Sequence, residues 1–157
     1  MASRTRALNR SESDLWISIT VLSQLFTPTM DQRLRSVDLT LFDFGSLMSL
    51  ADAPDNALRI SEMAERTYSS LPRMSKVVAR LEQRGLVRRA RCPDDNRATT
   101  IELTVAGRKK LAEARRIQVT AAREIVLDRL SSDEIDTVAP ILRRLVSSLD
   151  PDGPLTE

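Results

Sequence analysis

The amino-acid sequence predicts a mainly α-helical (α+β) fold with one β-hairpin in its second half. Apolar residues recur at three- and four-residue steps over long stretches near both ends of the chain, as they do on one face of a helix. The spacing changes to strict alternation only within residues 86–103. Aromatic residues make up 3% of the chain and glycine occurs four times, a composition that favours helices over a β-sandwich or barrel.

The first helix is predicted over residues 12–31, and a second apolar block follows over residues 39–50. Ser11 with Asp14 resembles a capping box at the start of the first helix. Pro28 predicts a kink or an earlier end. One stripe of this helix carries Leu15, Ile19, Leu22 and Phe26.

Two shorter helices are predicted in the middle of the chain. Ser61 can cap the first of them, and residues 67–70 end it. Ser70 is placed to cap the second, Pro72 fits its first turn, and Gly85 supplies the left-handed residue that ends such a helix. Its predicted buried stripe consists of Leu71, Met74, Val78 and Leu81.

A β-hairpin and two further helices complete the chain. Strand-like runs at residues 86–91 and 99–103 flank the turn Pro93–Asn96. Thr104 caps a long helix that extends to about Leu130, and Ser131 with Glu134 forms the capping box of the last one. Pro140 predicts a kink in that helix. The predicted organisation is an arm over 1–10, one domain over 11–149 and a disordered tail over 150–157.

The charge distribution separates the middle of the chain from the rest. Ten basic and five acidic residues lie between Arg59 and Arg97, although the net charge of the whole chain is only +2. A short helix, a tight turn, a helix with a basic outer face and an arginine-flanked hairpin follow each other there. This order is typical of a winged helix-turn-helix with a two-stranded wing, and the excess positive charge favours binding to a polyanion such as DNA.

The composition argues against several other classes of protein. The chain has no histidine and one cysteine, so a structural zinc site, a Ser–His–Asp triad and an internal disulfide are not expected. We predict neither an enzyme nor a bound metal or cofactor. No apolar run reaches the length of a membrane span, and no secretory signal is recognisable at the N-terminus. We therefore expect a cytoplasmic protein.

Two segments resemble the MarR family of winged-helix transcriptional regulators. The run Leu81–Arg89 is similar to the end of the family's recognition helix and its first wing strand. Asp95-Asn96-Arg97, followed by Ile101–Gly107, resembles the family's wing signature of Asp-x-Arg and then hydrophobic-x-Leu-Thr-x-x-Gly. Leu39-Thr40-Leu41 also matches, and the resemblance covers roughly residues 12–148.

The resemblance implies a function and a set of DNA contacts. Arg97 would reach the minor groove from the wing tip, and Asp95 would orient it. Arg73 and Lys76 would approach bases, and Ser70 and Arg80 would contact phosphates. The recognition surface predicted by matching positions is Ser69, Ser70, Pro72, Arg73, Ser75, Lys76 and Arg80. Arg88, Arg89 and Arg91 would support the wing.

The resemblance also implies partners. Helices at residues 11–31 and 105–149 would form a homodimer that places two winged lobes, each about residues 38–104, on a pseudo-palindromic operator. A small phenolic or aromatic acid would release a repressor of this type from DNA. The predicted walls of its pocket are Trp16, Phe26, Phe42, Phe44 and Met48, with Arg33 or Arg35 as the carboxylate partner.

The residues leave alternatives open. Arg84, Arg88 and Arg89 fit pairing with Glu82 and Glu102 as well as they fit phosphate binding. Cys92 beside the wing would suit a thiol-oxidation switch only if its pKa were lowered, and an inert thiol is the favoured interpretation. A helical adaptor that no longer binds DNA would show no salt-dependent affinity for duplexes.

Overall fold

The computed structural model describes residues 6–92, 95–151 and 153, and it describes only the backbone of residues 91, 92 and 95–98. The helices and strands form one small winged lobe with long helices attached to it. In chain order they are α1 (Arg10–Leu34), α2 (Leu41–Ala51), β1 (Ala57–Arg59), α3 (Ile60–Arg66), α4 (Leu71–Gln83), β2 (Val87–Cys92), β3 (Asp95–Leu103), α5 (Val105–Ile125) and α6 (Ser132–Leu149).

The lobe is built on a hydrophobic core beneath a small antiparallel sheet. Leu47 and Leu50 of α2 and Met74 of α4 are almost completely buried there. The strand order is β1-β3-β2, so the predicted two-stranded wing gains a third strand at its base. β1 pairs over three residues, Ala57 to Arg59, and is too short for alternation to reveal it.

The start of α1 differs from the prediction. The capping box is formed by Asn9 and Glu12, whose side chains bond each other's backbone N–H at 2.9 and 2.7 Å, and Ser11 lies within the helix. The Glu12 side chain reaches back to the Asn9 N–H and starts the helix two residues before the predicted cap, which leaves Ser11 and Asp14 inside the helix. The helix begins at Arg10 and runs through Pro28 to Leu34.

The later helices follow their predicted caps more closely. Thr104 accepts a bond from the Gly107 N–H at 2.9 Å, and Ser131 with Glu134 forms the predicted capping box. α5 ends at Ile125, before a short 3-10 turn, and α6 continues through Pro140. Ser61 does not cap α3, because the helix begins at Ile60 and its N-cap is Arg59. The Glu62 side chain accepts the Arg59 N–H at 2.6 Å.

The two terminal helices expose most of their apolar residues. α6, all of whose residues the structure describes, buries none of them, and α1 buries only Met30 and Leu34 of its fully described length. Leu15 and Trp16 of α1 and Leu142 of α6 are at least half exposed. Within the described ranges, no helix has the length and apolar character that crossing a membrane requires.

Asp150 and Gly153, which follow α6, lie beside the turn between α3 and α4. Tyr68 in that turn has a left-handed backbone (φ 52°) and interacts with Asp150, which follows α6. A side chain at Gly153 would lie within 2.9 Å of the Tyr68 hydroxyl oxygen. These two residues of the predicted disordered tail are therefore packed against the winged lobe.

Candidate nucleic-acid interface

The helix α4 has the boundaries that its sequence predicts. Ser70 occupies the N-cap with an extended backbone, Pro72 lies in the first turn, and Gly85 takes a left-handed conformation (φ 69°) after the helix. The buried face consists of Met74, Val77, Val78 and Leu81. Leu71 was predicted to belong to it, but its side chain is 48% exposed because the first residue of α4 extends past the edge of the core.

The side of α4 opposite the core is exposed and mostly polar. Pro72, Lys76, Ala79 and Gln83 lie there, with the half-buried Ser75 beside them. Successive members of this face are three or four residues apart, so they form one continuous strip along the helix. Lys76 is the cation of this strip and lies near its middle. Sequence reasoning did not include Gln83 among the site residues, although its position on the wheel would have placed it there.

Two arginines of α4 lie on the flank that faces α2. The Arg73 guanidinium carbon stands 4.2 Å from the centroid of the Phe42 ring, a cation–π geometry. The Arg80 Nη2 donates to the Asp43 Oδ1. Both arginines are predicted site residues, and the structure places them at the joint between α2 and α4 as well as at the surface.

The first turn of α2 is held by two carboxylates. Asp43 accepts the Thr40 N–H at 3.0 Å while its own N–H donates to the Thr40 hydroxyl oxygen at 3.0 Å. Asp31 of α1 accepts the Leu41 N–H at 2.6 Å. These bonds satisfy N–H groups that a helix N-terminus leaves unpaired. Sequence reasoning missed Asp43, but the spacing of Thr40 and Asp43 is a signal that could have found its capping role.

The wing is a pair of antiparallel strands whose arginines meet acids at its base. Arg88 lies opposite Glu102 and bonds it at 2.6 Å, and Arg89 bonds Glu82 at the end of α4 at 3.1 Å. These pairs agree with the alternative that the sequence left open. The pairing register shifts between Arg91 and Cys92, which marks a bulge near the tip.

The residues at the wing tip are described only in part. Arg91 and Cys92 end β2 and Asp95 and Arg97 begin β3, and their side chains lie outside the described part of the structure. Their assigned roles therefore stay predictions.

The turn before α4 contributes Ser69, which is half-buried and donates its hydroxyl to the Ser70 carbonyl at 3.2 Å.

Among the cavities lined by described residues, none brings the predicted ligand-binding residues together. Phe44 is part of the hydrophobic core, and Met48 accepts the Arg115 Nε at 3.1 Å. Trp16 and Phe26 are exposed on α1.

In the part of the chain that the structure describes, three cavities lie beside α1. Phe42 lines one of about 330 Å³ between α1, α2 and α4, together with Asp31, Arg73, Lys76 and Arg80. Arg35 lines a second of about 280 Å³ near the loop before α2. Arg33 lines a third of about 230 Å³ against α5, where it also pairs with Glu124 at 2.9 Å. The two candidate carboxylate partners are thus in different places.

Known proteins share both the sequence and the shape of this chain. A model of the MarR family matches residues 37–98. Sco3205, a MarR family transcriptional regulator from Streptomyces coelicolor solved in complex with DNA, is 31% identical over 98% of both chains with a TM-score of 0.86. AbsC, a MarR family regulator from the same organism, is 26% identical with a TM-score of 0.86, over 94% of this chain and all of its own.

A more distant match shows the same fold. The organohalide-sensing regulator RdhR, in a form bound to 2,4-dichlorophenol, has a TM-score of 0.74 at 19% identity, over 92% of this chain and 88% of its own. The winged lobe, the helices at both ends and the identity over nearly the whole length lead to one conclusion: this chain belongs to the MarR family of transcriptional regulators.

Proposed function

We propose that this MarR-family regulator is a homodimer that binds a specific duplex sequence and represses transcription by occupying a promoter. The observation that carries the proposal is the exposed strip of α4 around Lys76, set between a wing and a basic flank. A helix of this kind fits the major groove of B-DNA. The DNA complex of the 31%-identical Sco3205 supports the same use of the fold here.

The contacts divide by position on the lobe. Lys76, Pro72 and Ser75 point away from the core and are proposed to meet base edges, whereas Ser69 and Ser70 lie at the N-terminus of α4, where backbone N–H groups bind phosphate. Arg73 and Arg80 are proposed to border the groove from the α2 side. This revises the sequence-based expectation that Arg73 approaches a base.

The wing is proposed to reach the neighbouring minor groove. Arg97 would enter it and Asp95 would orient the guanidinium, as the family resemblance implies. Arg88 and Arg89 would stiffen the base of the wing through their pairs with Glu102 and Glu82. Arg91 would lie between the base and the tip.

The exposed apolar residues of α1 and α6 support the dimer. Large exposed apolar side chains on a globular protein commonly mark a protein interface, and here both terminal helices carry several of them. A two-fold axis would present two winged lobes to half-sites about one helical turn apart, which is the geometry of a pseudo-palindromic operator. In this arrangement residues 11–31 and 105–149 assemble the dimer and residues 38–104 bind DNA.

A small effector is proposed to act between these two parts. The aromatic side chains exposed on α1 and the arginine-lined cavities beside it suit an aromatic acid, and RdhR supports the use of the fold for a phenolic compound. Such a ligand can release DNA only if it binds one spacing of the two lobes more tightly than the other. The partner protomer would complete the pocket around Trp16 and Phe26.

The proposal is tested with a fluorescent duplex from the region upstream of the protein's own gene. We expect binding that weakens steeply with salt, and a loss of about 1–3 kcal/mol in Arg97→Ala. The matched control is Arg10→Ala, which removes the same charge from the exposed first residue of α1, outside the segments assigned to DNA binding and to the dimer. Salt-independent or absent binding to every duplex would contradict DNA binding, and an unchanged affinity in Arg97→Ala would contradict the role of the wing.

A further inference from the structure

A buried carboxylate connects α2 to the recognition helix. The Asp43 side chain is 3% exposed, and its two oxygens accept from the Thr40 N–H and from the Arg80 guanidinium. A buried charge without a partner is costly, so the arginine compensates the aspartate. Compensation of the buried charge alone would not require the arginine to lie at a particular position on α4.

Arg80 occupies a place where it can also contact DNA. Its side chain is 51% exposed although it pairs with Asp43, so about half of it faces solvent. It lines the cavity between α1, α2 and α4 together with Arg73 and Lys76. Lys76 belongs to the exposed strip proposed to meet the groove, one helical turn before Arg80. A phosphate beside the groove would therefore lie within reach of the exposed part of the guanidinium.

Adjacent residues of α2 hold both arginines of this flank. Phe42 carries the Arg73 guanidinium on its ring and Asp43 binds Arg80, and the two arginines are seven residues apart, two turns along the same side of α4. The turn of α2 that carries these contacts is itself fixed to α1, because Asp31 accepts the Leu41 N–H. Contacts with α2 therefore orient both guanidiniums. α2 is in turn bonded to α1, which carries part of the proposed dimer interface.

We propose that Asp43 is a positioning residue for DNA binding: its carboxylate pre-orders Arg80 so that the exposed side of the guanidinium meets a backbone phosphate. The inference rests on the proposed function and assigns a role to a residue that does not itself touch DNA. A guanidinium already ordered by a carboxylate loses less conformational freedom when it binds. The pair therefore improves affinity even though it brings a negative charge toward a polyanion.

The sign of one substitution separates positioning from simple electrostatics. Asp43→Asn keeps the shape and the oxygen that accepts the Thr40 N–H, and it removes one negative charge. By Coulomb attraction alone, this variant would bind DNA as tightly as the natural chain or more tightly. Positioning predicts the opposite, because Arg80 is no longer held. We expect affinity to fall about tenfold, the range of one charge-assisted hydrogen bond.

The experiment is a double-mutant cycle read by fluorescence anisotropy, with an arbitrary labelled duplex of about 30 base pairs in dilute buffer, long enough for two half-sites. The chains compared are the natural one, Asp43→Asn, Arg80→Gln and the double variant. The matched control is Asp38→Asn, which removes the same charge from an exposed residue whose left-handed backbone (φ 55°) asparagine tolerates. Melting temperatures are measured in parallel to show that each variant is folded.

The proposal requires three results together. Asp43→Asn binds more weakly than the natural chain, Asp38→Asn does not, and Asp43→Asn has no further effect in the Arg80→Gln background. Arg80→Gln also reduces the slope of log affinity against log salt, by less than about 0.9 for the lost phosphate contact because Asp43 matches part of the arginine charge. Arg80→Gln alone leaves a buried charge unpaired and is at risk of unfolding, whereas the double variant does not. If Arg80→Gln unfolds, the double variant takes its place, and the proposal then requires the double variant to bind DNA as weakly as Asp43→Asn or more weakly.

Other outcomes overturn the idea. If Asp43→Asn binds DNA as tightly as the natural chain or more tightly, Asp43 does not position Arg80 for binding. The same holds if the double variant regains the natural affinity, because the pair would then serve stability alone. If the natural chain itself binds no duplex, the proposed function fails first, and this result is distinct from either of the others.

Discussion

Two glycines in helices are expected to respond to alanine with opposite signs. A Cβ at Gly107, in the first turn of α5, would stand 2.0 Å from the Leu86 carbonyl oxygen and 2.8 Å from the Leu103 Cδ1. The Leu86 oxygen cannot easily move, because it accepts bonds from the Thr104 N–H and hydroxyl. A Cβ at Gly45, within α2, would meet no atom within 4 Å. The same substitution therefore tests the packing at two sites of similar secondary structure.

The magnitudes follow from two opposing effects. Replacing glycine with alanine inside a helix stabilises it by about 0.8–1 kcal/mol. Overpacking costs about 1–3 kcal/mol, and a backbone contact of 2.0 Å belongs at the upper end of that range. We expect Gly107→Ala to lower the free energy of unfolding by about 2 kcal/mol, and Gly45→Ala to raise it by up to about 1 kcal/mol.

The assay is urea unfolding followed by circular dichroism, with every chain at the same concentration because dimerisation would make stability depend on it. The midpoint should fall in Gly107→Ala and rise in Gly45→Ala without a change of slope. If Gly107→Ala were as stable as the natural chain, the close packing of α5 on the wing base would be refuted. If both variants lost stability, the open space beside Gly45 would be refuted instead.

Three further measurements test separate parts of the molecule. Bonds from the Ser131 backbone N–H and hydroxyl lower the pKa of Glu134. The stability that its carboxylate contributes is therefore present above the unfolded-state pKa and is lost as pH falls through the folded-state value. Between about pH 5 and about pH 3, the Tm of Glu134→Gln should fall less than the Tm of the natural chain. Burial, then the hydrogen bond to Asp150 and its charge, raise the pKa of Tyr68, the single tyrosine, so Asp150→Asn should lower it in an absorbance titration. Leu142→Glu should convert the proposed dimer to monomer in sedimentation, and Gln83→Glu, which adds the same charge at an exposed residue of the winged lobe, should not.

Much of the winged lobe was predictable because its sequence signals are local. The cap at Ser70 and the left-handed Gly85 delimit α4 to the residue, and the three- and four-residue spacing predicts most of its buried face. The capping box of Ser131 and Glu134 is equally local. Each of these features depends on residues within one or two turns of one another, which is the range over which sequence spacing determines geometry.

The rest depends on contacts between distant segments. β1 exists because Ala57–Arg59 pairs with residues 41 to 45 positions later, and nothing within three residues predicts that pairing. Asp43 lies between two phenylalanines in an apolar helix, and its partner Arg80 comes 37 residues later. The packing of Asp150 and Gly153 against Tyr68 joins segments that are farther apart still. Spacing rules carry no information about such pairs.

The intrachain partners of the arginines also change what the basic segment implies. Counting charges between Arg59 and Arg97 treats ten cations as equal ligands for phosphate. Among the side chains that the structure describes, Arg80, Arg88 and Arg89 bind carboxylates, and Arg73 packs on a ring. An arginine whose charge is already matched releases fewer counterions from DNA than a free one, because part of its field ends on the acid. The magnitude of the slope of log affinity against log salt should therefore be well below the total that about 0.9 for each of the ten residues would give. A slope that reached this total would mean that DNA displaces the carboxylates.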